Sequence, residues 1–310
     1  MRKNKHNIGL LPFIREDVYG LSLDSCQVQG WEIQKLNIAS QWGLSMGEGV
    51  KIAVIDTGCD LDHPDLKNNL LQGKNFIEAG KDPIDKNGHG THVSGTIAAE
   101  NNSIGMVGIA PRAKIVPVKA LNDQGAGSWE SIIGAIVWAA DYGVDFITMS
   151  LGSPSSNIEL EKAINYAASK GVIIFCAAGN EGAKSDIMYP ARYEHTISVG
   201  AIDENLERTN FTCSGETLDF LAPGHNILSC VPDNSYALMS GTSMSNPFAV
   251  GLAALLCGYA KSHGFSGLPN HLKTTEDYVD IFKTKARDLS SPQFKGIKKY
   301  QGYGIMYPVL

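Results

Sequence analysis

The sequence predicts an α/β fold in which a mostly parallel central sheet is flanked by helices. Two observations carry that expectation. From residue 50 onward, short β-branched runs alternate with longer segments whose apolar residues recur at helical spacing. Helical segments of that length between strands are crossover connections, which join parallel neighbours.

Taken in order, "VKIAVID" (50–56), "AKIVPVKA" (113–120), "VDFITMS" (144–150), "GVIIFCAA" (171–178) and "HTISVGAI" (195–202) read as buried strands. "SWESIIGAIVWAADYG" (128–143) and "NIELEKAINYAASKG" (157–171) read as helices, the second stopping at Lys170-Gly171. A long helix is expected through "FAVGLAALLCGYA" and a last one near 276–285, after which "GYGIMYPVL" closes the domain. In such sheets the working groups gather at the carboxyl ends of the strands. Residues 1–25 differ in kind, with mixed charges and no periodicity, and read as an arm laid on the surface of a domain spanning 26–310.

Length and composition narrow the function. A chain of 310 residues suits one large α/β domain, and 43% hydrophobic with 19% charged residues excludes a disordered or fibrous protein. A formal net charge of −6, without a Lys/Arg cluster interleaved with aromatics, gives no general attraction to nucleic acid. No run approaches the roughly 18 apolar residues that cross a bilayer, so no membrane partner is expected. "IGLLPFI" follows the basic start Met1 to Lys5, but Gly9 and Pro12 interrupt it and Arg15 ends it, so it is too short and broken for a signal peptide. Six cysteines without C-x-x-C spacing form neither a disulfide framework nor a zinc site, which fits reduced thiols and a cytoplasmic setting.

Four polar clusters stand at strand ends or helix starts. Asp56 ends the apolar run in "VIDTGCD", where a carboxylate is costly to bury unless paired; taken alone it reads as a turn residue bonded to its own backbone. In "NGHGTHVSG", His89 lies between glycines just ahead of a helix, and His92 faces inward one turn later, where a structural role suits it better. Asn180 of "AAGNEG" presents a neutral amide donor after a buried strand, or simply makes a turn. Ser243 of "GTSMSNPF" sits at the amino end of the long helix, where the helix dipole and free N–H groups favour negative charge. Thr242 or Ser240 is available to cap that helix, leaving the Ser243 hydroxyl free.

Asp, His and Ser in that chain order, together with "VIDTG", "HGTHVSG", "MSLG", "AAGNEG" and "GTSM…P" at matching intervals, resemble the subtilisin-like serine proteases of the peptidase S8 family. The resemblance runs over roughly residues 28–306. It implies a three-layer subtilisin-like fold and an endopeptidase acting on proteins or peptides. Ser243 would be the nucleophile, His89 the general base and acid, and Asp56 the group that orients the imidazole, with Asn180 in the oxyanion hole and Thr242 supporting it. It also implies that Gly125, Ala126 and Gly127 pair with a substrate strand on one side and Ser150, Leu151 and Gly152 on the other. Met188 falls where the family usually has a small residue beside the first specificity pocket, so a shallower pocket is expected. A structural Ca²⁺ site is implied for Asp65, Asn102, Ile104 and Met106, with Gln27 as the remaining ligand. A weaker second site for Ca²⁺ or Na⁺ would use Ala191, Tyr193, Thr196 and Asp219.

Within the family the chain looks like the intracellular subtilisins, which share the cysteines at Cys59 and Cys176 and carry a Leu-Ile-Pro-Tyr segment in a short extension. Here that segment is Leu10-Leu11-Pro12-Phe13. The resemblance implies that the extension lies across the active site as an inhibitor, that the enzyme is made latent, and that it forms a homodimer. The pattern departs at Ser245-Asn246-Pro247-Phe248, where the family has Ala-Ser-Pro-His or Ala-Ala-Pro-His, and at Ser153, where glycine is usual. A dedicated leader peptidase is the alternative within the same chemistry. A lipase would need G-x-S-x-G and another chain order; a silent binding module would be expected to lack a triad member, and none is lacking.

Overall fold

The computed structural model describes residues 8–18, 27–264 and 272–310, so the basic start at Met1 to Lys5 and the boundary expected at residue 26 lie outside the described residues. The strands, in chain order, are β1 (Ile8–Leu10), β2 (Ile14–Val18), β3 (Lys51–Asp56), β4 (Lys74–Asn75), β5 (Lys114–Lys119), β6 (Ala126–Gly127), β7 (Phe146–Met149), β8 (Leu151–Gly152), β9 (Ile173–Ala177), β10 (Thr196–Ile202), β11 (Phe220–Pro223), β12 (Ile227–Val231) and β13 (Ser235–Ser240). The helices are α1 (Trp31–Lys35), α2 (His89–Ala98), α3 (Trp129–Tyr142), α4 (Ile158–Ser169), α5 (Thr242–His263), α6 (Thr275–Lys283) and α7 (Lys298–Gln301).

Seven strands form one parallel sheet in the order β11-β10-β9-β7-β3-β5-β4. Its central strands are apolar on both faces, as buried parallel strands must be. Along β3, Ile52 and Val54 pack into one core with Val93 and Ile97 of α2 and Val250 of α5, while Ala53 and Ile55 pack into the other with Ile132 and Ile136 of α3 and Leu160 of α4. The period-2 alternation of a strand therefore distributes adjacent residues between the two outer layers. Local sequence sets the helix ends: Ser128 and Ser131 form a capping box on α3, Gly143 closes it in a left-handed conformation, and Asn157 accepts from the Glu159 and Leu160 N–H groups of α4.

The chain leaves β3 toward β5 and leaves β7 toward β9, so connections diverge at the β3/β7 border. That is the topological switch point of an open α/β sheet, where a crevice opens beyond the carboxyl ends of the strands. Two small antiparallel sheets lie at this end: β6-β1-β8, in which the arm enters between the two segments expected to flank a substrate strand, and β12-β13-β2, which was not anticipated. Both include the N-terminal arm. It is not laid on the surface, because Ile8 and Leu11 are buried between elements of the domain.

Candidate active site

The first strand ending at the crevice is β3, which carries Asp56. Its Oδ1 accepts the Thr57 N–H at 2.7 Å and lies 2.8 Å from His89 Nδ1, with both side chains buried. His89 opens α2, slightly earlier than the sequence suggested. The two loops meet because residue 90 is glycine: a Cβ there would stand 2.2 Å from the Gly58 carbonyl oxygen. The Phe13 ring of the arm covers the imidazole, with centroids 5.0 Å apart.

Asp85, which was not singled out in the sequence, ties these loops together. One of its oxygens accepts from the Thr57 hydroxyl and from the Asn87 and Gly88 N–H groups, each at 2.9 Å; the other accepts from the Thr91 N–H and hydroxyl at 2.9 and 2.7 Å. Thr57 Oγ1 in turn accepts from the Gly90 N–H at 2.9 Å. The one hint in sequence was an acidic residue two positions before Asn-Gly, the pattern of an Asx turn.

Ser243 is the second residue of α5. Neither Ser240 nor Thr242 caps this helix: the N-cap is Gly241, without a side-chain cap, while Ser240 Oγ accepts from the Asn226 N–H and Thr242 Oγ1 from that of Gly179. Pro247 has no N–H, so the Ser243 carbonyl lacks its i+4 donor and accepts instead from Ser150 Oγ at 2.9 Å. Asn246 donates to Thr148 Oγ1 at 2.8 Å and to Ser150 Oγ at 3.4 Å, anchoring the first turn of α5 to the end of β7. The departure at 245–248 thus serves helix anchoring. The Ser243 hydroxyl donates to the Ser150 carbonyl at 3.3 Å, and the buried His89 Nε2 takes no protein partner among the described residues.

Asn180 follows β9. Its Oδ1 accepts the Thr242 N–H at 2.8 Å, which fixes the amide so that Nδ2 points into the cleft, where it donates to the Pro12 carbonyl at 2.6 Å. The strand β1 enters antiparallel between β6 and β8, with Gly9 opposite Ala126 and Gly152 and the Leu10 N–H bonded to the Gly125 carbonyl at 2.9 Å. Gly125 has φ +75° and lies against the Leu10 side chain. Leu11 fills the space beside Gly152: a Cβ at 152 would lie 2.7 Å from Leu11 Cδ2 and 3.1 Å from Met188 Cβ. Met188 thus lines this pocket. His92 stands apart from the chemistry; its Nε2 faces the Ile227 and Ala237 carbonyls at 3.0 and 3.2 Å, and burial lowers its pKa to about 3.

Away from the cleft, four oxygens converge on the side-chain amide of Gln27: the carbonyls of Glu100, Ile104 and Met106 and Oδ1 of Asn102, at 2.6–3.2 Å from Nε2. Buried Asp65 adjoins them, accepting from Asn102 Nδ2, the Tyr236 hydroxyl and the Met106 N–H. A cluster of carbonyl and carboxylate oxygens is the donor set of a hard cation, so these residues fit Ca²⁺. The Glu100 carbonyl in this cluster was missed, because a backbone oxygen leaves no mark on residue type. In the other expected set, Asp219 Oδ2 accepts from the Ser198 N–H and hydroxyl, and the Tyr193 carbonyl accepts from the Thr196 hydroxyl. Lys298 donates to the Leu218 carbonyl and brings a positive charge beside Asp219.

The subtilase family matches residues 47–304. The chain is 43% identical over 286 residues to the major intracellular serine protease of Bacillus subtilis strain 168, covering 89% of this chain and 86% of that protein. It is 41% identical over 283 residues to an intracellular serine protease of Paenibacillus polymyxa, covering 89% and 84%. To subtilisin Savinase of Lederbergia lenta it is 46% identical over 247 residues, covering 79% and 90%. With the family spanning most of the chain and the sheet, the Asp56–His89 pair and the helix bearing Ser243 arranged around one crevice, the protein belongs to the subtilase family, peptidase S8, as a subtilisin-like serine endopeptidase.

Proposed function

We propose that the protein is a cytoplasmic endopeptidase made latent by its own N-terminal extension. In this reading Ser243 Oγ attacks the scissile carbonyl and His89 Nε2 takes its proton, then delivers it to the leaving amine. Asp56 holds the Nδ1–H tautomer and stabilises the imidazolium, and Asn180 Nδ2 with the Ser243 N–H binds the oxyanion. Strands β6 and β8 hold the substrate backbone between them, and Met188 shapes the pocket for the residue before the scissile bond.

One observation carries the reading: the Asn180 amide already binds a carbonyl, that of Pro12. In a productive substrate the residue whose side chain fills the first pocket also presents its carbonyl to the oxyanion donors. Here Leu11 fills the pocket and Pro12 supplies the carbonyl, so the arm is offset by one residue. Proline permits this, because it has no N–H to pair in the register a substrate would adopt. A cytoplasmic setting is supported by two relatives named as intracellular, and by free cysteines whose thiols burial pushes up, Cys257 to about 11.

Calcium would be held by Asp65, Asn102 and the carbonyls of Glu100, Ile104 and Met106, with Gln27 contributing through its amide oxygen rather than the Nε2 that now donates to them, fixing the loop that follows α2. The Asp219 set is the weaker cation site of the two.

A progress curve for casein hydrolysis in millimolar Ca²⁺, comparing the full chain with one starting at Val18 and with Ser243→Ala, tests the proposal. A lag in the full chain, immediate turnover in the short one and none in the serine variant are expected. Immediate turnover by the full chain would remove the latency, and turnover by Ser243→Ala would remove the mechanism.

A further inference from the structure

Beside the Asp56–His89 pair lies a lysine that the mechanism does not use. Lys119 ends β5, level with Asp56 at the end of β3 in the parallel ladder. Its side chain is 4% exposed, and among the described residues it is the one buried lysine. Burying an ammonium is costly unless its hydrogens and its charge are met. Here Nζ donates to the Thr57 carbonyl at 2.6 Å and to Asp123 Oδ1 at 2.8 Å.

Each partner belongs to a different part of the site. Thr57 follows Asp56, and its hydroxyl joins Asp85 to the Gly90 N–H. Asp123 sits in the turn that Asn122 closes onto Ala126, at the start of the substrate edge 125–127. Its carbonyl accepts from Asn87 Nδ2 at 3.0 Å, two residues before His89. One ammonium therefore fastens the end of β3 to the turn ahead of β6, and that turn holds the loop ahead of α2. Charge points the same way. Asp56 and Asp85 are both buried carboxylates, and Asp56 Oδ2 has no protein partner among the described residues. A buried anion short of hydrogen bonds is stabilised by a cation nearby.

We infer that Lys119 is a positioning residue for the reaction. It fixes the Asp56–His89 pair against the substrate edge through Thr57 and Asp123, and its charge opposes protonation of the imidazole. The inference rests on the protease reading given above and extends it to a residue that touches neither substrate nor the reacting atoms. The other charged or titratable groups around this imidazole are Asp56 itself, Asp85, Asp60 beside Thr91, His92 on the same helix, and Arg15 of the arm at the Asn87 carbonyl. All five are unchanged in the variants that test the role.

The test compares the full-length chain with Lys119→Met, Lys119→Arg and Asp123→Asn. For each, kcat/KM on one peptide anilide is followed from about pH 5 to 9 once turnover is linear, because its acidic limb reports the free enzyme's base. Methionine keeps most of the stem and loses the charge. Lys119→Met is expected to move the limb up by about half a pH unit and to lower the plateau about tenfold. Asp123→Asn removes the opposing charge and should move the limb the other way, to lower pH. Lys119→Arg keeps the charge and should keep the parent's limb even where its plateau is reduced.

A role limited to packing has no sign, so it leaves the limb in place in all three variants. An unmoved limb in Lys119→Met overturns the inference, and so does movement of Lys119→Met and Asp123→Asn in the same direction. If Lys119→Met does not fold, Asp123→Asn decides, since that side chain is 35% exposed and its limb must still move down. The parent curve separates the two readings. A parent with no acidic limb between about pH 5 and 8 sinks His89 as the base and this inference together, whereas a parent limb that the variants leave in place sinks the role of Lys119 alone.

Discussion

At the residue scale, the site is a chain of donors and acceptors that leaves few groups free to turn. Asn180 is held at Oδ1 by the Thr242 N–H, so in the proposed mechanism its Nδ2 would meet a developing oxyanion without reorganisation. Removing the corresponding donor in subtilisin itself costs about 10²–10³ in kcat, and Asn180→Ala is expected to lose the same with KM little changed, read by steady-state kinetics on a peptide anilide. Asp85 acts through others. It accepts five hydrogen bonds that hold the loops of Asp56 and His89 against each other. Asp85→Asn keeps the shape but turns one acceptor into a donor facing N–H groups. We expect about 1–3 kcal/mol of lost stability in urea melts, the cost of buried groups left unpaired, and a lowered kcat; an unchanged melt would refute that role. Asp85 left only a weak trace in the sequence, since its function lies in a number of partners that only the folded loops supply.

At the element scale, α5 shows how one residue type shapes a site. Pro247 releases the Ser243 carbonyl to Ser150, and Asn246 secures the same serine from the other side. The sequence placed the helix and its reactive serine, but it suggested a Ser240 or Thr242 cap that the structure replaces with Gly241. Both hydroxyls had better-placed partners across the fold. Pro247→Ala restores an N–H four residues after Ser243 and improves helix propensity. The variant is expected to melt no lower than the parent while kcat/KM falls about tenfold, as small displacements of reacting groups do; equal activity would show that the Ser150 contact positions nothing. The strands β1 and β2 belong to the same lesson. As sequence they are an aperiodic arm, and they become strands because β6, β8 and β13 offer edges to pair with.

At the scale of the whole molecule, two of the buried titratable groups make stability depend on pH in opposite directions. Burial holds His92 neutral with a pKa lowered to about 3, so its contribution is complete above about pH 6.5 and is lost as pH falls toward 3. Glu32 runs the other way. Burial raises its pKa to about 7, its Oε2 has no protein partner among the described residues, and its contribution is complete below about 4.5 and lost as pH rises through 7. Glu32→Gln should therefore leave stability unchanged near pH 4.5 and raise it by about 3 kcal/mol above pH 7. Urea melts at pH 5 and 8 check this, and a parallel shift at both would discard the explanation. The oxygens gathered around Gln27 predict a second global effect. Chelation of Ca²⁺ should lower Tm and expose the segment after α2 to cleavage, in a manner that Asp65→Asn abolishes by weakening the site beforehand. A chelator that leaves Tm unchanged would remove calcium from this site.

The sequence by itself determined the parallel sheet and where its principal strands and helices fall along the chain, and its family motifs marked Asp56, His89, Asn180 and Ser243 as candidates. These follow from apolar periodicity and from short motifs, which are local. Only the tertiary structure decided that Asp85 binds two loops, that the Glu100 carbonyl joins the Gln27 cluster, that Leu11 and Pro12 divide between them the pocket and the Asn180 amide, and that β2 takes the open edge of β13. Each of these depends on backbone groups or on register between segments distant in sequence. Every residue type carries the same N–H and C=O, proline's missing N–H aside, so such partners become visible only when the chain has closed around them.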